Sequence, residues 1–550
     1  MKIQKLAVIL AAVMVLSACG VQTSDETAKQ TKEYIKDLPV ITDGIYPESF
    51  DLRDYGYVTP VKLQNPFGYC WAFASTAAAE TSILSELQKT YDEYPLDLSE
   101  HHLAWFSKQH IPAEGEDGYD SSNSQSGEGS YTSGWTSNSW NDGGDTTYAL
   151  EAFSAGIGAA LEETSPYKGK EGKISYVDSQ GQLSDDKPLF GGTAYCYSEN
   201  DDWSVDESLR YSRIYDLEAG YILPDLKADG DKLNEEGIAA VKKMLTEGRG
   251  VAVEYTSTSA DGSDGYLNET TFAHYTYEEA STDHCVTIVG WDDNYSRENF
   301  NSNNPLPAGN GAWIVKNSWG SKEADFPNYG EWGVSGSGYF YISYYDKSLS
   351  TAVAFNFDIE TSYDITQQYD LMISSAINTY NSDSKVMTAN IFEAEDDMEL
   401  KAVSNICSGQ DMLVTYQVYL LNDDLEGPED GTLCAELSKT YDYAGYYRET
   451  LENFVSVSKG QKYSVVVTQY QESSHEYWYQ YDESLSGEGS IIAAFSNDHY
   501  VGIVNEGESS IYFEDSGWKD FKQYLSEINA GSEDMLADDN FAIKAFADRK

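Results

Sequence analysis

Apolar residues run along the chain in two rhythms. After a turn marked by Asn65, Pro66 and Gly68, the stretch from Cys70 is rich in Ala, Ser, Ile, Leu and Glu, with apolar positions at helical spacing. Leu98-Ser99-Glu100 reads as the start of a second helix, and Ile238 to Leu245 as a short amphipathic helix leading into Val251-Ala252-Val253. The β-branched run that follows His284 and Cys285 predicts a buried strand with His284 at its start. From about Thr361 the pattern changes to short alternating runs bounded by Asn, Asp and Gly, among them Val386–Phe392, Leu413–Tyr419 and Tyr463–Val467. That is the rhythm of an antiparallel β-sandwich, expected over 361–550. Residues 112–140, dense in Gly, Ser, Asp and Glu, and residues 168–234, with weak periodicity, are expected to be surface insertions. A further insertion, 292–313, separates the His284 strand from the next apolar run.

The N-terminus has a different pattern. Lys2 and Lys5 precede an uncharged run from Leu6 to Ala18, too short to cross a bilayer core of about 30 Å, so residues 1–18 read as a secretory signal. Leu16-Ser17-Ala18-Cys19 resembles the lipobox of bacterial lipoproteins, which implies lipidation at Cys19 and a polar tether over 19–44. The expected location is outside the cell, anchored to the outer face of the cytoplasmic membrane.

Composition narrows the partners. The 550 residues carry a formal net charge of −57, which repels phosphate backbones and excludes sequence-independent nucleic-acid binding. With 41% hydrophobic and 13% aromatic residues the chain is no disordered acidic tail. Its six cysteines are too sparse for a disulfide scaffold and form no CxxC pair, so no structural zinc is expected. Cys407 and Cys434 remain open as a pair. Asp229-Gly230-Asp231 lacks the spacing of a calcium loop, and no metal or cofactor is expected.

Cys70 is singled out by its position. At a helix N-terminus the backbone N–H groups and the dipole favour a thiolate, while burial against Trp71 and Phe73 opposes it, so a reactive and an inert buried cysteine both fit the local physics. The wider stretch decides between them. Asp51, Arg53, Val58-Thr59-Pro60-Val61-Lys62, Gln64 and Gly68-Tyr69-Cys70-Trp71-Ala72-Phe73 resemble the active-site region of papain-like cysteine peptidases. In that family the side-chain amide of the residue matching Gln64 and the backbone N–H of the nucleophile form the oxyanion hole. The family often has a cysteine where Phe67 stands and a partner where Asn141 stands, so both halves of that disulfide are absent together.

Of the seven histidines, His284 in Asp283-His284-Cys285-Val286 matches the family base. Asn317, in Trp313-Ile314-Val315-Lys316-Asn317-Ser318-Trp319-Gly320, matches the residue that orients the imidazole, and Trp319 matches the indole that shields it. The resemblance further places Gly68, Gly143 and Gly144 along the substrate cleft. Cys70 and His284 lie farther apart than the roughly 130–150 residues that separate the Cys from the later catalytic residues in papain-like enzymes, and the insertions account for the excess. The stretch between Cys19 and Ile45 is too short for the helical inhibitory prosegment usual in the family.

The resemblance implies an α+β two-lobed peptidase, one lobe helical and one β-barrel-like, over 45–360. The β-sandwich after it resembles the lectin-like domain that follows papain-like peptidases in some bacterial surface proteins, on Ala389–Phe392, Leu400–Ser404, Tyr443–Tyr447 and Gly460–Val467. The implied function is a surface-tethered cysteine peptidase acting on peptides or proteins, with a glycan or cell-surface ligand open for the sandwich. Two alternatives are a non-catalytic adhesin built on the same fold and a cell-wall peptide hydrolase.

Overall fold

The computed structural model describes residues 34–132, 143–177, 183–184, 194–258, 265–322, 332–373, 377–485, 498–529 and 536–550. Cys19, the signal stretch 1–18 and Asn141 lie outside them. Helix α1 (Cys70–Glu86) begins where the predicted turn ends, and from Cys70 to Leu84 every residue is buried. Helix α2 (Glu100–Ser107) is capped by Ser99, whose hydroxyl accepts from the His102 N–H at 2.9 Å. Helix α3 (Thr146–Ser154) is capped by Asp145, and α4 (Glu235–Thr246) by Asn234.

The strands that position the site are β1 (Asp216–Ile222), β2 (Val251–Tyr255), β3 (His284–Asp292), β4 (Ala312–Lys316), β5 (Tyr339–Ser343) and β6 (Ser350–Asp358). They are adjacent in the order β1-β6-β2-β3-β4-β5. Helix α1 lies across this sheet, and the Thr287 hydroxyl of β3 donates to the Ala74 carbonyl at 2.9 Å. The apolar run after His284 forms a strand because both of its neighbours, β2 and β4, bury it.

The sheet continues into the second half of the chain. Strand β7 (Met398–Cys407) pairs with β8 (Ala444–Val457), and β8 pairs through Ala444–Tyr447 with β1. Gly445 is required there: it has φ +128°, and a Cβ on it would lie 2.0 Å from the Gly220 carbonyl oxygen. Lys36–Lys550 accordingly form one compact unit. A second sheet, built around Val386–Glu393, Met412–Leu421 and Lys462–Gln471, faces β7, with Met398, Leu400, Val403, Val414, Val465 and Tyr463 between the layers. The alternating runs seen in the sequence are strands of this sandwich.

Two expectations are corrected. Residues 168–234 are not wholly a surface insertion: they supply β1, a central strand, and Trp203, which is buried edge-on to Phe67 at 4.6 Å. The local pattern is weak because the partners that bury β1 lie far downstream. Residues 112–140 likewise contribute a strand, Gly129–Thr132, paired with Asp498–Val501. The buried Glu128 carboxylate accepts from the Leu371 and Ile503 N–H groups at 2.8 and 3.0 Å. Cys407 and Cys434 do not pair. Both are free, and each thiol donates to a nearby backbone carbonyl, Gly409 and Thr432 respectively.

Candidate active site

Cys70 is the first residue of α1, and His284 is the first residue of β3. The thiol is in hydrogen-bond contact with both Cys285 and His284. His284 Nε2 lies 2.8 Å from Asn317 Oδ1, which leaves the other ring nitrogen for Cys70. Asn317 follows directly after β4, and its Oδ1 also accepts from the Ser318 N–H at 2.7 Å, so the amide oxygen is fixed toward the imidazole. Trp319 stacks on the His284 ring with centroids 4.7 Å apart, and Trp332 meets Trp319 edge-on at 4.9 Å. These indoles keep water off the His284–Asn317 bond.

The electrostatics favour an ion pair. Cys70 is held well below an ordinary thiol by the Cys285 donor first and by His284, which together outweigh burial. Burial pushes His284 down, but the contact with Cys70 and the bond to Asn317 outweigh it and raise the imidazole above its usual value. Both shifts run in the direction that a thiolate–imidazolium pair requires.

Gln64 is tied to the same frame. Its backbone N–H donates to Ser318 O at 2.8 Å, its Oε1 accepts from the Ser318 hydroxyl at 2.7 Å, and its Nε2 donates to Phe67 O at 3.2 Å. The other Nε2 hydrogen has no acceptor among the described residues. Phe67 is 2% exposed and packs on Tyr69, Tyr167 and Trp203, filling the position where the family often has a disulfide. Gly68 sits in the turn before α1. A Cβ on Gly144 would lie 2.7 Å from Trp71 Nε1, so this glycine lets the loop close over the indole, whereas a Cβ on Gly143 would meet nothing within 4 Å among the described residues.

Four other histidines are engaged elsewhere. His101 bonds to the Trp203 and Pro166 carbonyls, His102 to the Leu209 carbonyl, and burial lowers each to about 4. His110 stacks on Tyr131 at 3.7 Å, and His274 is buried against Thr276.

Cys285 and Glu254 were not singled out as site residues from sequence. The signal for Glu254 was a lone carboxylate in the apolar run Val251–Tyr255; for Cys285 it was the place directly after His284. Replacing Cys285 with alanine removes the donor that contributes most to the low Cys70 pKa. The acid limb of Cys70 alkylation by iodoacetamide is therefore expected to move to higher pH. Superimposable profiles for Cys285→Ala and the parent protein would refute that role.

Comparisons with known proteins agree with this architecture. Residues 46–121 match the papain family cysteine protease model, and residues 367–547 match the lectin-like domain model. The cysteine protease and lectin-like domains of Cwp84, a surface layer associated protein of Clostridium difficile, superpose with a TM-score of 0.61 at 21% identity, covering 94% of this chain and 91% of that one. The chain has a papain-like peptidase fold joined to a lectin-like β-domain. A second Cwp84 structure, after propeptide cleavage, gives the same TM-score at 22% identity over 91% of this chain and 99% of that one. Among curated proteins, Peptidase 1 of Psoroptes ovis is 32% identical over 127 residues, 23% of this chain and 29% of the mite protein. Chymomexicain of Jacaratia mexicana is 66% identical over 35 residues, 6% of this chain and 16% of its own length. The matched stretches thus span less than a third of these two relatives. Procathepsin L of Mus musculus is 25% identical over 293 residues, 53% of this chain and 59% of that protein.

Proposed function

We propose that this chain is a cysteine peptidase that hydrolyses peptide bonds through Cys70, His284 and Asn317. The observation that carries this reading is the contiguity of the three groups: a thiol lowered well below its ordinary pKa, an imidazole raised above its own, and an amide oxygen 2.8 Å from the far side of that imidazole. The Cys70 thiolate attacks the scissile carbonyl, and the oxyanion is received by the Cys70 N–H and Gln64 Nε2. His284 then protonates the leaving amine, and a thioester remains on Cys70. Water activated by His284 cleaves the thioester and restores the pair. Asn317 keeps the imidazole oriented through both steps.

The N-terminal lipobox-like run and the surface-layer association of Cwp84 support a location on the cell surface, with Cys19 as the lipid-bearing residue and the β-domain as the holder of a cell-surface ligand. The enzymatic reading is tested by Cys70→Ala and by a thiol alkylator on the purified protein. Both are expected to abolish peptide hydrolysis, and turnover that survives either one sinks the proposal. Gln64→Ala is expected to lower kcat by about 10²–10³-fold with little change in KM, the effect of removing one oxyanion donor. Steady-state kinetics on a fluorogenic peptide measures it, and a change confined to KM would assign Gln64 to ground-state binding instead.

A further inference from the structure

Beside the nucleophile lies a pair of carboxylates that the peptidase chemistry does not use. Glu254 of β2 is the register partner of Cys285 on β3, so their side chains share one face of the sheet, the face on which Cys285 meets Cys70. Glu254 is only 9% exposed. Its Oε2 accepts from the Thr282 hydroxyl at 3.1 Å, and the Thr146 backbone N–H at the start of α3 also donates to the carboxylate. Its Oε1 is buried and has no hydrogen-bond partner among the described residues. The second carboxylate, Asp145, follows Gly143 and Gly144 and acts on Glu254 as a like charge. Among the described residues no lysine or arginine is paired with either of them.

A buried carboxylate with an orphan oxygen and a like-charged neighbour is costly unless something completes it. The missing complement is a cation that carries N–H donors. Gly143, two residues before Asp145, would meet nothing within 4 Å of an added Cβ among the described residues. We infer that Glu254, backed by Asp145, selects a positively charged substrate side chain, arginine or lysine, in a pocket beside Cys70. This rests on the peptidase reading and names the substrate class of the same site. A guanidinium fits the geometry best, because it has donors enough for the free Oε1 and for Asp145 together.

Ionisation supplies a signature. Burial first, and then Asp145, pushes Glu254 up to about 7 against the Thr282 and Thr146 hydrogen bonds. The groups facing it are Asp145 and Thr146 from the α3 end, Thr282, the Cys70 thiolate, Cys285 on β3 and Ser350, its register partner on β6. Glu254 is neutral below its pKa and anionic above it, so selection of a cation strengthens as pH rises through about 7.

The test compares two fluorogenic peptides that differ only in arginine versus its neutral isostere citrulline, at the position a positional-scanning library shows to be most selective. The parent protein is expected to favour arginine by about 10–100-fold in kcat/KM, and Glu254→Gln to cut that ratio by at least about tenfold, whatever happens to the absolute rate. If Glu254→Gln does not fold, the parent protein still decides: its arginine-to-citrulline ratio should climb through pH 7. A ratio near one, or one that is flat with pH and unmoved by Glu254→Gln while Cys70-dependent hydrolysis persists, overturns the inference alone. Absence of any Cys70-dependent hydrolysis removes the peptidase reading and the inference with it.

Discussion

His284→Ala is expected to lower kcat on the order of 10⁶-fold, as much as Cys70→Ala, with no further fall in the double variant. The magnitude follows from how closely the two groups depend on each other. Cys70 is lowered by Cys285 and by His284, and His284 is raised by Cys70 and Asn317. Removing His284 takes away the proton acceptor as well as one of the groups that lower Cys70, and removing Cys70 takes away the nucleophile as well as one of the groups that raise His284, so the losses are not additive. The two buried histidines of α2 are not available for the role. His101 and His102 are lowered to about 4 by burial and are tied to the backbone carbonyls of Pro166, Trp203 and Leu209. Hydrolysis of a fluorogenic peptide, normalised to folded protein by near-ultraviolet circular dichroism, measures the effect. A loss of only about tenfold is the size expected when a secondary group is removed, and it would move the base elsewhere.

What the sequence made legible was local. Cys70 could be placed at a helix start because a turn is followed at once by a run of strong helix formers, and His284 at a strand start because the residues after Cys285 are β-branched. Asn317 and Gln64 could be assigned only through the family resemblance. The frame that locks them together, Gln64 to Ser318 and Ser318 to Asn317, joins stretches far apart in the chain. Glu254 escaped for the same reason: its nearness to Cys70 depends on the register between β2 and β3, which a single strand does not encode. The shared sheet was equally hidden. A change of hydrophobic rhythm near Thr361 marks a new kind of packing, but it carries no sign that β8 will hydrogen-bond to β1.

Glu80→Ala is expected to destabilise the fold by about 3–5 kcal/mol, the cost of removing one member of a buried ionic cluster. Glu80 lies in the middle of α1 with its side chain fully buried. It accepts from the Thr59 hydroxyl at 2.5 Å, from Lys62 Nζ at 2.9 Å and from the Leu98 N–H at 2.9 Å. Lys62 also reaches Glu100 at 2.8 Å, and Lys316 Nζ donates to the Thr59 hydroxyl at 2.8 Å, so one cluster joins α1, α2 and β4 directly beneath Asn317. Burial pushes Glu80 up, yet Lys62, Lys316 and the Thr59 hydrogen bond outweigh it and hold the carboxylate ionised. Lys316 is already lowered to about 8 by burial, with Glu80 the foremost group acting to raise it. Without Glu80 that lysine falls further, while Thr59 and the Leu98 N–H lose their acceptor. Glu80→Gln keeps one acceptor oxygen in place and is expected to cost less, about 1–3 kcal/mol. Urea unfolding at neutral pH followed by tryptophan fluorescence tests both variants. Equal midpoints for Glu80→Ala and the parent protein would mean that the cluster is dispensable and that apolar packing alone holds α1 and β4 in register beneath the site.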